Sequence, residues 1–223
     1  MSADRIPFKD TMLYPIVFML IISFIFVGVL AAMYRSSEGK IKRYQTEQYQ
    51  KLVLKLLSGS ISSSTGISEA KLMADFPASF NKYITEKKDK GIGRRIFLAS
   101  VNDSILAYCT DIGGKGLWGS MRALVSTNTS FDTILDFAIY AQMETPGLGA
   151  RIGEEWFLKQ FRGRPVIKSG KVLSLELIPE KQPSSNPLQI NQVTGATITS
   201  VSVLKMLREE LSYVYQKKQA QSE

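Results

Sequence analysis

Residues 11–34 carry no charged side chain and are dominated by Ile, Leu, Val, Phe and Met. At about 1.5 Å of rise per residue, a helix of that length crosses a hydrocarbon core of about 30 Å with some tilt. The pattern therefore predicts a transmembrane helix over 11–34, preceded by a short tail over 1–10. A cleaved signal peptide is the alternative, but its apolar region is usually shorter and its start net positive. Here Asp4 and Asp10 dilute the start, and Ala31-Ala32 is a weak cleavage signal.

Beyond the apolar run, Ile41, Tyr44, Tyr49, Leu52 and Leu56 recur on one side of a 3.6-residue period, which predicts a helix leading away from the membrane. Residues 58–67 hold five serines and two glycines and read as a loop or hinge, so 35–67 is expected to be a helical connector with a hinge. Ser68 then reads as an N-cap ahead of Leu72, Met73 and Phe76.

Two β-rich runs, 96–101 and 105–109, flank Asn102-Asp103-Ser104 and predict a hairpin. Runs at 121–126, 133–143 and 172–178 are expected to extend the sheet. A short helix is expected over 154–161, with Trp156, Phe157 and Phe161 on one side. A longer helix beginning just after Thr199 and Ser200 carries Val201, Leu204, Leu207, Leu211 and Val214 at helical spacing. Strands with helices at either end of the region predict an α+β domain over 68–223 with a mainly antiparallel sheet and flanking helices.

Composition removes several kinds of chemistry. There is no histidine and a single cysteine, Cys109, so histidine-based triads, histidine-ligated metal or haem sites and an internal disulfide are excluded. No catalytic residue and no metal-ligand set stands out. Cys109, in the apolar run Leu106-Ala107-Tyr108-Cys109, reads as a small core residue. The net charge of +8 is concentrated at Arg35, Lys40, Lys42 and Arg43, at 87–95, and at Lys217 and Lys218. That distribution suits a membrane surface; no nucleic-acid module accompanies it. Counted alone, the basic residues after the apolar run place the large domain in the cytoplasm.

Three segments do not read as ordinary core. Ile112-Gly113-Gly114-Lys115-Gly116-Leu117-Trp118-Gly119 has too many glycines for a strand. Glu144-Thr145-Pro146-Gly147-Leu148-Gly149 ends a strand in a tight turn. Asn191-Gln192-Val193-Thr194-Gly195-Ala196-Thr197-Ile198-Thr199-Ser200 leads into the final helix. In the last of these, a glycine and an alanine leave room for a ligand, and a helix start offers unpaired NH groups to a phosphate. A hydroxyl beside that phosphate, such as that of Thr197, can be esterified to it. Helix capping by the threonines and serines explains the same residues without a ligand. Trp118 can likewise be core, and Pro146-Gly147 only a turn.

Together the Thr194-Gly195-Ala196-Thr197-Ile198-Thr199-Ser200 segment, the 144–149 segment and the single apolar span resemble the FMN-binding domain family. Within it, Gly116-Leu117-Trp118-Gly119 is most similar to the C subunits of sodium-translocating NADH:quinone reductases; the G subunits of Rnf electron-transport complexes come second. The resemblance implies a membrane-anchored electron-transfer subunit of an ion-translocating NADH:quinone reductase, with FMN attached by a phosphoester to Thr197 through a separate flavin transferase. It implies FMN contacts at Thr194, Gly195, Ala196, Thr199, Ser200, Glu144, Thr145, Leu148 and Gly149, with Leu117 and Trp118 bordering the ring.

The resemblance further implies partner subunits holding other flavins or iron-sulfur clusters, and a flavin domain on the outer (periplasmic) side of a bacterial inner membrane, against the basic-residue count. One position departs from the family pattern: Asn191 stands where the motif usually carries an acidic residue. Two readings outside redox chemistry remain open: a membrane-anchored module binding an anionic ligand, and a purely structural subunit.

Overall fold

The computed structural model describes residues 13–88, 94–168 and 171–222. The tail 1–10, the first two residues of the expected span and part of the basic run 87–95 lie outside the described residues. The chain divides into two compact units, Met1–Gln48 and Tyr49–Glu223.

The first helix, α1, runs from Leu13 to Thr65. Within the first unit its apolar side chains stay exposed all round, including Ile16, Phe18, Leu20, Phe24, Phe26 and Leu30. A helix that is apolar on every side and packed against nothing in its own unit is suited to lipid, and this one is long and apolar enough to cross a membrane. Its length and composition suit it to anchor the chain in a membrane.

In the second unit the remainder of α1 is a core helix. Val53, Leu54, Leu57 and Ile61 are fully buried, each contributing about 1.5–3 kcal/mol by burial. The serine-rich stretch expected to be a loop is thus helical through Thr65. The hydroxyls of Ser63 and Thr65 donate to the carbonyls of Gly59 and Ile61 at 2.9 and 2.8 Å, satisfying themselves on the preceding turn. Ser58 is buried and donates to Glu69 at 2.9 Å. The helix stops at Gly66, whose φ of 72° gives it the left-handed terminus that glycine tolerates.

Two short helices follow: α2 (Glu69–Ala74), capped by the Ser68 side chain as expected, and α3 (Ala78–Tyr83). Strands β1 (Ile84–Lys88), β2 (Arg95–Val101), β3 (Ser104–Lys115), β4 (Ser120–Asn128) and β5 (Thr133–Ala141) pair in sequence, each antiparallel to the last. The β2–β3 hairpin turns at Asn102 and Asp103, both with positive φ, as a two-residue turn demands. Strand β3 runs on through Gly113 and Gly114, against the expectation that the glycines would end it. A side chain at 114 would approach Met206 to 2.9 Å; the glycine lets the final helix lie flush on the strand.

After β5 come a 3-10 turn (Gly149–Gly153), α4 (Glu155–Leu158) and a second 3-10 turn (Lys159–Phe161), which bury Phe157 and Phe161. Strand β6 (Arg164–Pro165) completes the six-stranded sheet against β5. The 172–178 run does not extend that sheet. Its first residue ends β8 (Lys171–Val172), which pairs with β7 (Ile167–Lys168), and its last residues form β9 (Glu176–Ile178), parallel to β10 (Gln189–Asn191). The final helix, α5 (Thr197–Ser222), begins at Thr197 itself. Its buried stripe is Val203, Met206, Leu207, Glu210 and Leu211, while Val201 is exposed.

Alternation along the strands divides the core. Ile112, Met121, Ala123 and Val125 pack with α5 on one face. Ala107, Cys109 and Leu124 pack with α1 and α3 on the other. The result is an α+β domain of three layers with Cys109 fully buried.

On α5, Glu210 is buried and paired with Arg94, whose guanidinium lies 4.7 Å from the Tyr213 ring centroid. Burial pushes the Glu210 carboxyl up to about 7 in spite of that cation. Between about pH 4.5, its ordinary value, and about 7, the unfolded chain gives up this proton before the folded one. The contribution to stability is complete below that window and lost as pH rises through it. Glu210→Gln should therefore flatten the decline, with a difference of roughly 3 kcal/mol accumulating between pH 4.5 and 7. Urea unfolding of the detergent-solubilised chain at both ends of the window checks it; parallel slopes for the two chains would contradict it.

Candidate functional site

Three connections meet at one end of the sheet. The β3–β4 turn carries Gly116-Leu117-Trp118-Gly119 and closes with the Gly116 NH donating to the Gly119 carbonyl at 2.7 Å. The chain after β5 turns at Thr145-Pro146-Gly147-Leu148, where the Leu148 NH reaches the Thr145 carbonyl at 3.1 Å and Gly147 has a φ of 74°. The chain before α5 turns at Val193-Thr194-Gly195-Ala196 in the same way, with a 3.0 Å bond and a φ of 76° at Gly195. In both turns the glycine holds the position that requires positive φ.

A cavity of about 330 Å³ opens between these connections, lined by Leu117, Trp118, Glu144, Thr145, Leu148, Gly149, Gly195, Ala196, Thr197, Ile198 and Thr199. Every residue expected from the sequence to neighbour the cofactor is in that lining except Thr194 and Ser200. Trp118 is 71% exposed, so it is no part of the core.

Glu144 ties the three connections together. It is buried, and its Oε1 accepts the Trp118 NH at 3.0 Å while its Oε2 accepts the Thr199 hydroxyl at 2.7 Å. Gly149 sits against this carboxylate, where a methyl group would come within 3.0 Å of both Glu144 and the Thr199 hydroxyl. Substitution there would force the cluster apart.

At the start of α5, Ala196 is the capping residue: its carbonyl accepts the Ser200 NH at 3.0 Å. Alanine offers no side-chain acceptor to the first turn. Among the described residues the NH groups of Thr197, Ile198 and Thr199 find no acceptor, and the exposed Thr197 hydroxyl has no hydrogen-bond partner. Capping by side chains therefore does not account for Thr197. Open NH groups at the positive end of a long helix suit a phosphate.

The two expected residues outside the lining have other tasks. Ser200 is buried, accepting the Val193 NH at 3.1 Å and donating to the Ala196 carbonyl at 3.0 Å; it staples the turn to the helix. Thr194 is exposed, and its NH donates to Glu180 at 2.8 Å. Glu180 in turn receives two bonds from Arg151, at 2.8 and 3.3 Å. Bonds from Arg151 and from Thr194 hold the Glu180 carboxyl down at about 2. Neither Arg151 nor Glu180 bears a local signal in the sequence, because each meets its partner only through the fold. Ile198 lies inside the motif without being marked as a contact by it.

Asn191 has a structural task. Its side-chain amide donates to the carbonyls of Pro179 and Gln182, both at 2.8 Å. A carboxylate cannot donate these bonds.

Comparison with known proteins meets this geometry. Residues 116–212 match the family model of the FMN-binding domain. The C subunit of the Na(+)-translocating NADH-quinone reductase of Vibrio vulnificus is 30% identical over 132 residues, 57% of this chain and 52% of that one; the chain spans about half the length of that relative. The G subunit of an ion-translocating oxidoreductase complex of Methanosarcina acetivorans is 26% identical over 201 residues, 89% of this chain and 92% of that one. A solved structure of the C subunit of the Na(+)-translocating NADH-quinone reductase from Parabacteroides distasonis superposes with a TM-score of 0.56 at 24% identity, covering 78% of this chain and 95% of that one. That likeness shows a shared fold.

Proposed function

We propose, from the match of residues 116–212 to the family model of the FMN-binding domain, that this chain is a membrane-anchored electron-transfer subunit whose FMN is esterified through its phosphate to Thr197. The observation that carries the proposal is the exposed, unpartnered Thr197 hydroxyl beside three open helix-start NH groups at the mouth of the cavity.

The residues present fit the group. Gly195 and Gly149 keep the floor clear of side chains, and the NH groups of 197–199 offset a phosphate's charge. Leu117, Trp118, Leu148 and Ile198 offer exposed apolar surface to an aromatic ring, while Glu144 holds Trp118 and Thr199 in place. When bound, FMN supplies the redox chemistry, taking up and passing on electrons. A phosphoester at Thr197 leaves the ring system unaltered and prevents loss from a site this open. As in the multi-subunit complexes named for the relatives, we propose that partner subunits deliver and remove the electrons.

By similarity to the Vibrio protein we assign the chain to a sodium-translocating NADH:quinone reductase, and we propose that a flavin transferase matures it and that its flavin domain lies on the outer side of a bacterial inner membrane. The match along nearly the whole of the Methanosarcina protein favours, as a second reading, a G-type subunit; co-purifying subunits separate the two. Produced together with a flavin transferase, the full chain should show flavin fluorescence on a denaturing gel and an intact mass raised by one FMN phosphoester. Flavin that washes off would leave a binding module, and none at all a structural subunit. Labelling of an engineered exposed cysteine in intact cells tests the orientation.

A further inference from the structure

The segment that presents Thr197 is held from both sides by carboxylates. Glu144 grips it from behind, inside the lining, through Thr199. Glu180 grips it from outside the cavity, through the Thr194 NH. The two belong to different parts of the chain, and Glu180 is the less expected, since it sits in an irregular turn following β9.

We infer that Glu180 and Arg151 form a positioning pair that sets the 194–197 turn for modification at Thr197. The inference rests on the proposed flavin site. Asn191 is committed to tying down the turn at 179–182, from which Glu180 projects. Glu180 spans from that turn to the Thr194 NH. Arg151 completes the strut. It follows Gly149 of the lining by two residues, stands over the Trp156 ring with its guanidinium 5.5 Å from the centroid, and meets both Glu180 oxygens. The chain 144–151 and the turn before α5 are thereby fixed to each other twice, through Glu144 inside the cavity and through Arg151 with Glu180 outside it. Between the two grips lies Gly195, whose positive φ reverses the backbone and delivers Thr197 to the helix start.

A positioning pair and an ordinary surface ion pair make different demands on residue 180. The Thr194 NH needs an acceptor; the ion pair needs only opposite charges. Glu180→Gln keeps an acceptor oxygen and loses the charge. Exchanging the two residues, Glu180→Arg with Arg151→Glu, keeps the charges and removes the acceptor from position 180.

The test is the rate of flavin attachment to the full, detergent-solubilised chain by a purified flavin transferase with a flavin dinucleotide as donor, measured by in-gel fluorescence over a range of chain concentrations. In that step the Thr197 oxygen takes the FMN phosphoryl group as the donor's pyrophosphate bond breaks, and the nucleoside monophosphate leaves with the hydroxyl proton lost to solvent. For Glu180→Ala the turnover rate should fall about tenfold or more with KM little changed, as expected for a misplaced acceptor hydroxyl. Glu180→Gln should recover most of that rate, and the exchanged pair should not. Thermal unfolding of each variant shows whether the domain is intact. Recovery by the exchanged pair, or a change confined to KM, would overturn the positioning role. Unaltered rates in every variant would overturn it too, while leaving Thr197 as the modified residue. Failure of the natural chain to take up flavin would instead remove the functional reading on which the inference stands.

Discussion

Thr197→Ala is expected to abolish flavin that survives denaturation, while Thr197→Ser retains it. The reason lies in what the neighbouring hydroxyls are already doing. Thr199 is buried and donates to Glu144, and Ser200 is buried between the Val193 NH and the Ala196 carbonyl. Neither has an oxygen free to become an ester without breaking the contacts that form the site. Thr194 is held to Glu180 and stands on the far side of the Gly195 reversal. Thr145 is exposed and lines the cavity, but no helix start stands behind it to gather a phosphate. Thr145→Ala should therefore keep the covalent flavin, and this control separates a particular acceptor from any hydroxyl near the cavity. The expected change for Thr197→Ala is complete loss of the fluorescent band and of the mass increment, with folding preserved, because the removed hydroxyl bonds to nothing within the described domain. Persistence of the band in that variant would move the attachment elsewhere.

Much of the site is visible in the sequence because it is local. The two glycine turns, the helix start and the Gly116-Leu117-Trp118-Gly119 connection each occupy a few consecutive residues, and their chemistry follows from residue type. What brings them together is not local. Glu144 meets Thr199 across 55 positions and Trp118 across 26, and Arg151 meets Glu180 across 29; no spacing rule marks such pairs. The fold divides in the same way. Alternation and turn residues are enough for β2 to β5, whereas β9 and β10 are three residues each and pair in parallel, too short to leave a pattern. The helical 58–65 stretch escapes a reading by residue type, which does not reveal hydroxyls bonded back onto the helix or the burial of Ile61. The glycines of β3 mislead because their purpose is the approach of Met206 and Arg122 from elsewhere in the chain.

A large loss of stability from a single polar side chain outside the site is expected at Asp111. Its carboxylate is fully buried on the α1 side of the sheet, as β3 alternation places it with Ala107 and Cys109. It accepts four hydrogen bonds: Tyr49 at 2.9 Å and Arg95 at 3.1 Å on one oxygen, Arg122 at 2.8 Å and Tyr140 at 2.9 Å on the other. These donors come from α1, β2, β4 and β5, so one carboxylate joins the helix to three strands. The tyrosine rings meet edge to face at 5.2 Å, and the Arg95 guanidinium lies 4.2 Å from the Tyr49 ring centroid. Burial and the adjacent carboxylate push the Tyr49 hydroxyl well above its usual range, keeping it a donor.

Removing the acceptor strands four donors at once. Loss of one partner from a buried charged network costs about 3–5 kcal/mol; the partial exposure of both arginines favours the lower end. Asp111→Ala should thus destabilise the domain by about 3 kcal/mol, a fall in Tm of roughly 6–12 °C for a domain of this size. Tyr49→Phe, which removes one donor and leaves the carboxylate three others, should cost less, about 1.5–2 kcal/mol. Asp111→Asn should approach the alanine variant, because it removes the charge that both arginines face and sets its amide nitrogen against one of them, which can only donate. Thermal unfolding in detergent measures all three. Flavin attachment below the unfolding transition should be unchanged in Asp111→Ala, since α5 and its first turn pack against the opposite face of the sheet. A stable Asp111→Ala chain would show that α1 is held by its apolar contacts alone.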